Sequence, residues 1–187
     1  MLVITGTLFF FHHRGHGGHG VLLIKQKKLY VLCALCGEFP YLCSVMEKFE
    51  LHILGCGSAL PTTRHFATSQ VVNVRDKLYM IDCGEGSQLQ FRKSRLKFSR
   101  LNHIFISHLH GDHCFGLLGL ISTLNLLGRT AELHIHSPKG LETLLAPMLS
   151  FFCRQMTYKV LFHEFETKEP GMIYEDRSLT VTTIPWR

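Results

Sequence analysis

Apolar and polar positions alternate along Phe49-Glu50-Leu51-His52-Ile53-Leu54-Gly55, the period-two pattern of a strand with one face turned inward. A loop rich in glycine, serine and proline follows at residues 55–61. Two further β-rich runs, 69–75 and 78–82, are split by Asp76-Lys77 in the manner of a hairpin. Residues 87–96 then carry apolar positions at helical spacing, and 102–107 reads as a short buried strand leading into His108. Residues 114–127 form an apolar helix closed by Gly128, 132–136 a strand, 140–152 a helix, 158–165 a strand, and 173–175 with 179–184 a final hairpin. Strands clustered early, followed by strand and helix in alternation, predict an α/β architecture with helices packed on a mixed sheet. There is no internal repeat.

Residues 1–45 follow another pattern. Short apolar bursts, a His/Gly tract, a lysine cluster and three cysteines occur there without sustained helical or strand periodicity. We therefore divide the chain into an atypical N-terminal extension, 1–45, and a domain from 46 to 187. Met46 is a candidate start, which would make the extension translated upstream sequence; a peptide from within residues 1–45 in the native protein would rule that out.

Composition narrows the picture modestly. With 187 residues and 46% hydrophobic content the chain can bury an ordinary core. The net charge of +6 suits a polyanionic partner, but half of it lies in the first 45 residues, so the body is only mildly basic. Seven scattered cysteines do not form the paired framework of a small secreted domain and point to a reducing cytoplasm. No apolar run approaches the roughly 20 residues that span a bilayer, and the N-terminus lacks the layout of a secretory signal.

The chemistry concentrates in Ser107-His108-Leu109-His110-Gly111-Asp112-His113, directly after a buried strand and before an apolar helix. In extended backbone, residues two apart point the same way, so His108 and His110 can converge on one ion. A turn at Gly111 can present Asp112 and His113 to a second. Nitrogen and carboxylate ligands without thiolate suit Zn²⁺ or another borderline divalent ion.

His108-Leu109-His110-Gly111-Asp112-His113 matches the His-x-His-x-Asp-His signature of the metallo-β-lactamase superfamily. Within it, Leu54-Gly55-Cys56-Gly57-Ser58-Ala59-Leu60-Pro61, Ile81-Asp82-Cys83-Gly84-Glu85-Gly86-Ser87-Gln88 and Pro138-Lys139-Gly140 resemble the ribonuclease Z family over residues 49 to about 184. The resemblance implies a metallo-β-lactamase fold, an αββα sandwich, of which this chain holds roughly the N-terminal half. It implies two zinc ions per complete site, His108 and His110 on the first, Asp112 and His113 on the second, with Asp112 accepting a proton from the attacking water. It also implies a cytoplasmic homodimer acting on precursor tRNA, no membrane association, and release of a tRNA 3′-hydroxyl and a 5′-phosphate trailer. The family completes its site with residues that would follow Arg187, so these 187 residues alone are expected to be inactive. The alternatives are another phosphodiesterase or hydrolase of the superfamily, or a non-catalytic metal-binding or interaction module.

Other features admit two readings each. Asp82 can support a metal-binding histidine or cap the turn at Cys83-Gly84. The basic run Arg92, Lys93, Arg95, Lys97 and Arg100, interleaved with Phe91 and Phe98, is a candidate phosphate contact or a solvated helix face. Lys139 is equally open. Glu85 reads as a surface carboxylate, and His134 and His136 as two residues on one strand face. Cys33 and Cys36 lack the second pair that a zinc site needs, and the tract from His12 to His19 would bind metal only adventitiously.

Overall fold

A computed structural model of the chain describes residues 7–10, 19–26, 49–58, 60, 62–166 and 168–186. The strands are β1 (Thr7–Phe10), β2 (His19–Gln26), β3 (Phe49–Gly55), β4 (Ser69–Val74) and β5 (Lys77–Ile81), followed by helix α1 (Ser87–Lys93). Then come β6 (Leu101–Phe105), the single turn α2 (Gly111–Cys114), α3 (Leu117–Leu126), β7 (Leu133–Pro138), α4 (Leu141–Phe152), β8 (Val160–Phe165), β9 (Gly171–Glu175) and β10 (Leu179–Trp186). Six strands form one sheet in the order β3-β4-β5-β6-β7-β8, antiparallel as far as β5 and parallel from there to β8. The other sheet runs β1-β2-β10-β9 and is antiparallel throughout.

The alternation of side chains explains why the central strands carry so few polar positions. Leu78, Met80, Ile104, Ile106, Leu133 and Ile135 pack beneath Phe91 of α1 and the inner residues of α3 and α4. Their neighbours Tyr79, Ile81 and Phe105, with Val72 and Val74, face the second sheet and its Ile24, Leu179 and Val181. A strand buried on both faces has no solvent side, so it reads as a nearly continuous apolar run. The order of layers is helices, sheet, sheet. That supplies three layers of the expected αββα sandwich, and among the described residues no helix contributes to the second core.

The expected elements from β3 onward are present with small shifts of boundary. The hairpin turn is Arg75-Asp76, not Asp76-Lys77: Val74 pairs with Lys77, and the two turn residues have φ of 53° and 64°, the positive values that a two-residue hairpin needs. The helix expected over 114–127 is split, α2 ending before Gly116 and α3 beginning after it. Residues 1–45, which carry no sustained periodicity, nonetheless contribute two strands. β1 and β2 lie there, β2 pairs with β10 along its whole length, and Ile24 is wholly buried.

Arg129, nearly buried after the helix-ending Gly128, ties the far end of the sheet together. Its guanidinium donates to the carbonyls of Leu101, Ala131 and Glu132 and to Asn102 Oδ1 at 2.6–2.8 Å.

Candidate metal centre

β5 and β6 run parallel, and their carboxyl ends open on the same edge of the sheet, where loops of such sheets commonly build sites. β6 gives way to Ile106, whose N–H donates to the His136 carbonyl, and then to buried Ser107 and His108. α2 turns Asp112 and His113 back over this end. β5 terminates in Asp82, buried and held at φ 56°, a backbone conformation that Asp tolerates better than most residues.

His108, Asp112 and His113 converge: each offers a ligand atom, all within 4.8 Å of one another. His110 is exposed and stands beside this trio, its ring edge-on to that of His108 at 4.6 Å between centroids. Beneath them Asp82 accepts from the Ser107 N–H at 2.8 Å and the Ser107 hydroxyl at 2.9 Å, and its Oδ2 lies 2.7 Å from His113 Nδ1. A carboxylate at that distance holds the imidazole proton on Nδ1. It therefore makes Nε2, 3.5 Å from Asp112 Oδ2, the atom that offers a lone pair. Two imidazoles and a carboxylate in a largely buried trio, one oriented by a second carboxylate behind it, form a donor set that fits a borderline divalent ion. Of the two readings of Asp82, the geometry favours support of a histidine. Ser107, whose hydroxyl also sits 3.1 Å from His108 Nδ1 and 3.3 Å from His113 Nδ1, had no sequence signal beyond its adjacency to the motif.

A backbone clamp holds the two loops in register. Cys83 N–H donates to the His113 carbonyl at 2.7 Å, and Gly116 N–H donates to the Cys83 carbonyl at 2.8 Å. The approach requires glycine: a Cβ on Gly84 would lie 2.3 Å from the Asp112 carbonyl oxygen, and one on Gly116 would lie 2.1 Å from that of Gly84. Burial pushes the Cys83 thiol up to about 12, so this cysteine is a packing residue, not a nucleophile. Beside the trio opens a cleft of about 720 Å³ bordered by His110, Asp112 and Glu85.

The remaining candidates fall elsewhere. Phe91 and Phe98 of the basic run turn inward against each other at 4.6 Å, while Arg92, Lys93, Arg95 and Lys97 are exposed and Arg100 pairs with Asp76. Lys139 is in an exposed ion pair with Glu166. His134 and His136 share one face of β7, as expected. The parallel register also sets His103 beside His134 and His136 beside His163, an array that no single segment of sequence reveals. Cys33, Cys36, Cys43 and residues 12–18 lie outside the described residues; Cys56, Cys83, Cys114 and Cys153 are unbridged. No helix among the described residues is long and apolar enough to cross a membrane.

The family model described as Anti-Pycsar protein Apyc1 matches residues 49–145. A protein of Bacteroides thetaiotaomicron named Ribonuclease Z is 83% identical over 142 residues, covering 76% of this chain and 45% of the relative. One of the same name from Parabacteroides distasonis is 62% identical over 140 residues, covering 75% and 46%. The crystal structure of human tRNase Z, short form, superposes with a TM-score of 0.62 at 26% identity over 73% of this chain and 64% of that one. The chain thus spans about half the length of the curated relatives it matches.

Proposed function

This chain belongs to the family described as Anti-Pycsar protein Apyc1 and has the metallo-β-lactamase fold, and from that premise we propose that it is the N-terminal part of a ribonuclease Z, a zinc-dependent endoribonuclease that removes the 3′ trailer of precursor tRNA. The reading is carried by one observation: His108, Asp112 and His113 converge beside a cleft that Asp112 borders, with Asp82 bonded to His113 behind them. In it His108, His110, Asp112 and His113 hold the metal. Zinc supplies Lewis acidity there, which makes water acidic enough to attack near neutral pH and offsets charge gathering on the phosphoryl oxygens. Asp112 would take the proton of the attacking water as the water oxygen bonds to phosphorus. The bond to the tRNA 3′ oxygen would break, its electron pair leaving on that oxygen, which takes up a proton from solvent to give a tRNA 3′-hydroxyl and a trailer with a 5′-phosphate. Asp82 and Ser107 hold His113 and His108 in place.

The same reading makes residues 46–187 part of the catalytic domain, onto whose second sheet β2 of the 1–45 extension pairs, and makes the complete protein a cytoplasmic homodimer. A second reading is hydrolysis of a different phosphodiester by the same site, since the family model that matches residues 49–145 carries a different name from the relatives named Ribonuclease Z. An assay of the protein that carries this chain decides between them. Release of the 3′ trailer from a precursor tRNA, with a cyclic nucleotide left intact, is expected; the reverse pattern would replace the first reading by the second.

A further inference from the structure

The cleft beside Asp112 is lined by both polar and apolar residues. The apolar ones include large side chains left open to solvent: Leu60 is 77% exposed, Phe115 75%, Leu89 59% and Phe66 38%. Burying such groups is favourable, so four of them around one opening mark a surface built to be covered. Phe115 lies against the metal loop itself. A Cβ on Gly111 would meet its ring at 2.3–2.8 Å, so the ring stands directly over the backbone that precedes Asp112. Phe66 rests against Gly86, and the Lys93 ammonium stands 5.5 Å from the centre of its ring. Arg64 is exposed in the same loop.

We propose that Phe66 and Phe115 form a stacking platform for an unpaired nucleobase adjoining the scissile phosphate, with Lys93 and Arg64 facing the neighbouring phosphates. The occupant follows from chemistry on the page and rests on the nuclease reading of the trio. The cleft of about 720 Å³ admits a nucleotide, Phe66 and Phe115 expose ring surface to it, and the cations Lys93 and Arg64 stand beside Phe66, while Asp112 and Glu85 border the cleft itself. Aromatic rings stack with every base, so such a platform holds the strand in place without reading its sequence. Phe66 and Phe115 are then positioning residues: they fix where the phosphodiester lies over Asp112.

The test uses the whole protein with metal removed by chelator, so that binding is read without cleavage. Two precursor tRNAs carry 2-aminopurine, one immediately 5′ and one immediately 3′ of the cleavage point; the arm that is quenched on binding identifies which base stacks. Phe115→Leu and Phe66→Leu, which keep apolar bulk but lose the ring, should abolish most of that quenching and weaken binding about tenfold, within the range for loss of one stacked base. Phe115→Tyr should retain both. With metal restored, the Leu variants should raise KM far more than they lower kcat. Undiminished quenching in both Leu variants, or wild-type binding with no quenching in either arm, would overturn the platform while leaving the nuclease reading intact. Absence of any wild-type binding to either RNA would overturn both.

Discussion

The array of His103, His134, His136 and His163 should make the fold acid-sensitive by an amount that follows from its geometry. His103 Nδ1 and His136 Nε2 are 3.3 Å apart, as are the Tyr174 hydroxyl and His103 Nε2, while His134 Nδ1 and His163 Nε2 are 3.0 Å apart. Across the strands the rings stack, His103 on His134 at 4.8 Å and His136 on His163 at 4.7 Å. An N–H···N bond needs one imidazole as donor and the other as a neutral acceptor, so each pair tolerates one added proton at most. Burial, then the neighbouring imidazoles, brings His103 down to about 4 and His136 down to about 3. Their surroundings on other elements offer little relief: Phe105 stacks on His136, Tyr174 lies tilted against His103, and Asp176, the carboxylate acting on His103, is occupied by Tyr79 and Lys77.

Because the folded values are lowered, the unfolded chain binds protons first as pH falls through the ordinary histidine range, and stability drops until the folded groups titrate. From about pH 7 to about pH 5 the loss is about 2 kcal/mol per fully buried imidazole, and about 3 kcal/mol for the two once the partial exposure of His103 is discounted. Urea denaturation of wild type and of a His103→Phe/His136→Phe variant at both pH values measures this. Taking the difference between the proteins cancels the histidines of the metal centre. The variant should lose about 3 kcal/mol less than wild type over the interval; equal losses in the two proteins would refute the reasoning.

Three further outcomes follow from the packing. Asp82→Asn should weaken zinc binding about 10- to 100-fold, measured by competition with a chromophoric chelator, because the charge that orients His113 Nε2 is gone. Gly84→Ala should destabilise the protein by about 1–3 kcal/mol in thermal or denaturant melts and lower metal affinity as well, since the new methyl displaces the Asp112 carbonyl. Arg129→Met should cost about 2–4 kcal/mol by leaving the buried Leu101 carbonyl and its neighbours unpaired, with no change in metal stoichiometry, because the site lies at the opposite end of β6.

What the sequence disclosed depended on how local the physics was. The alternation over 49–55 and the runs at 69–75 and 78–82 are local, and their strands, observed over Ser69–Val74 and Lys77–Ile81 for the two runs, appear almost where the pattern puts them. The motif from His108 to His113 is local too, but period-two reasoning paired His108 with His110. The tertiary fold keeps the His110 ring beside that of His108 and also brings His108 to Asp112 and His113, because α2 curls the last two residues back over the strand end. β2 escaped notice because its partner, β10, lies some 150 residues away and its apolar run has no alternation to mark a face. The histidine array and the Phe66–Phe115 cleft were invisible for the same reason: each joins residues from separate elements by register or by loop approach, and no spacing along the chain encodes that.

The proposed chemistry requires metal held by the trio at the end of β6. The direct measurement is zinc content and affinity of the protein that carries this chain, by mass spectrometry of the metal and titration calorimetry, in wild type and in His108→Ala, Asp112→Ala and His113→Ala. Wild type should bind zinc stoichiometrically and each variant should lose it together with trailer cleavage. A metal-free wild type that still cuts, or variants that keep both metal and activity, would contradict it.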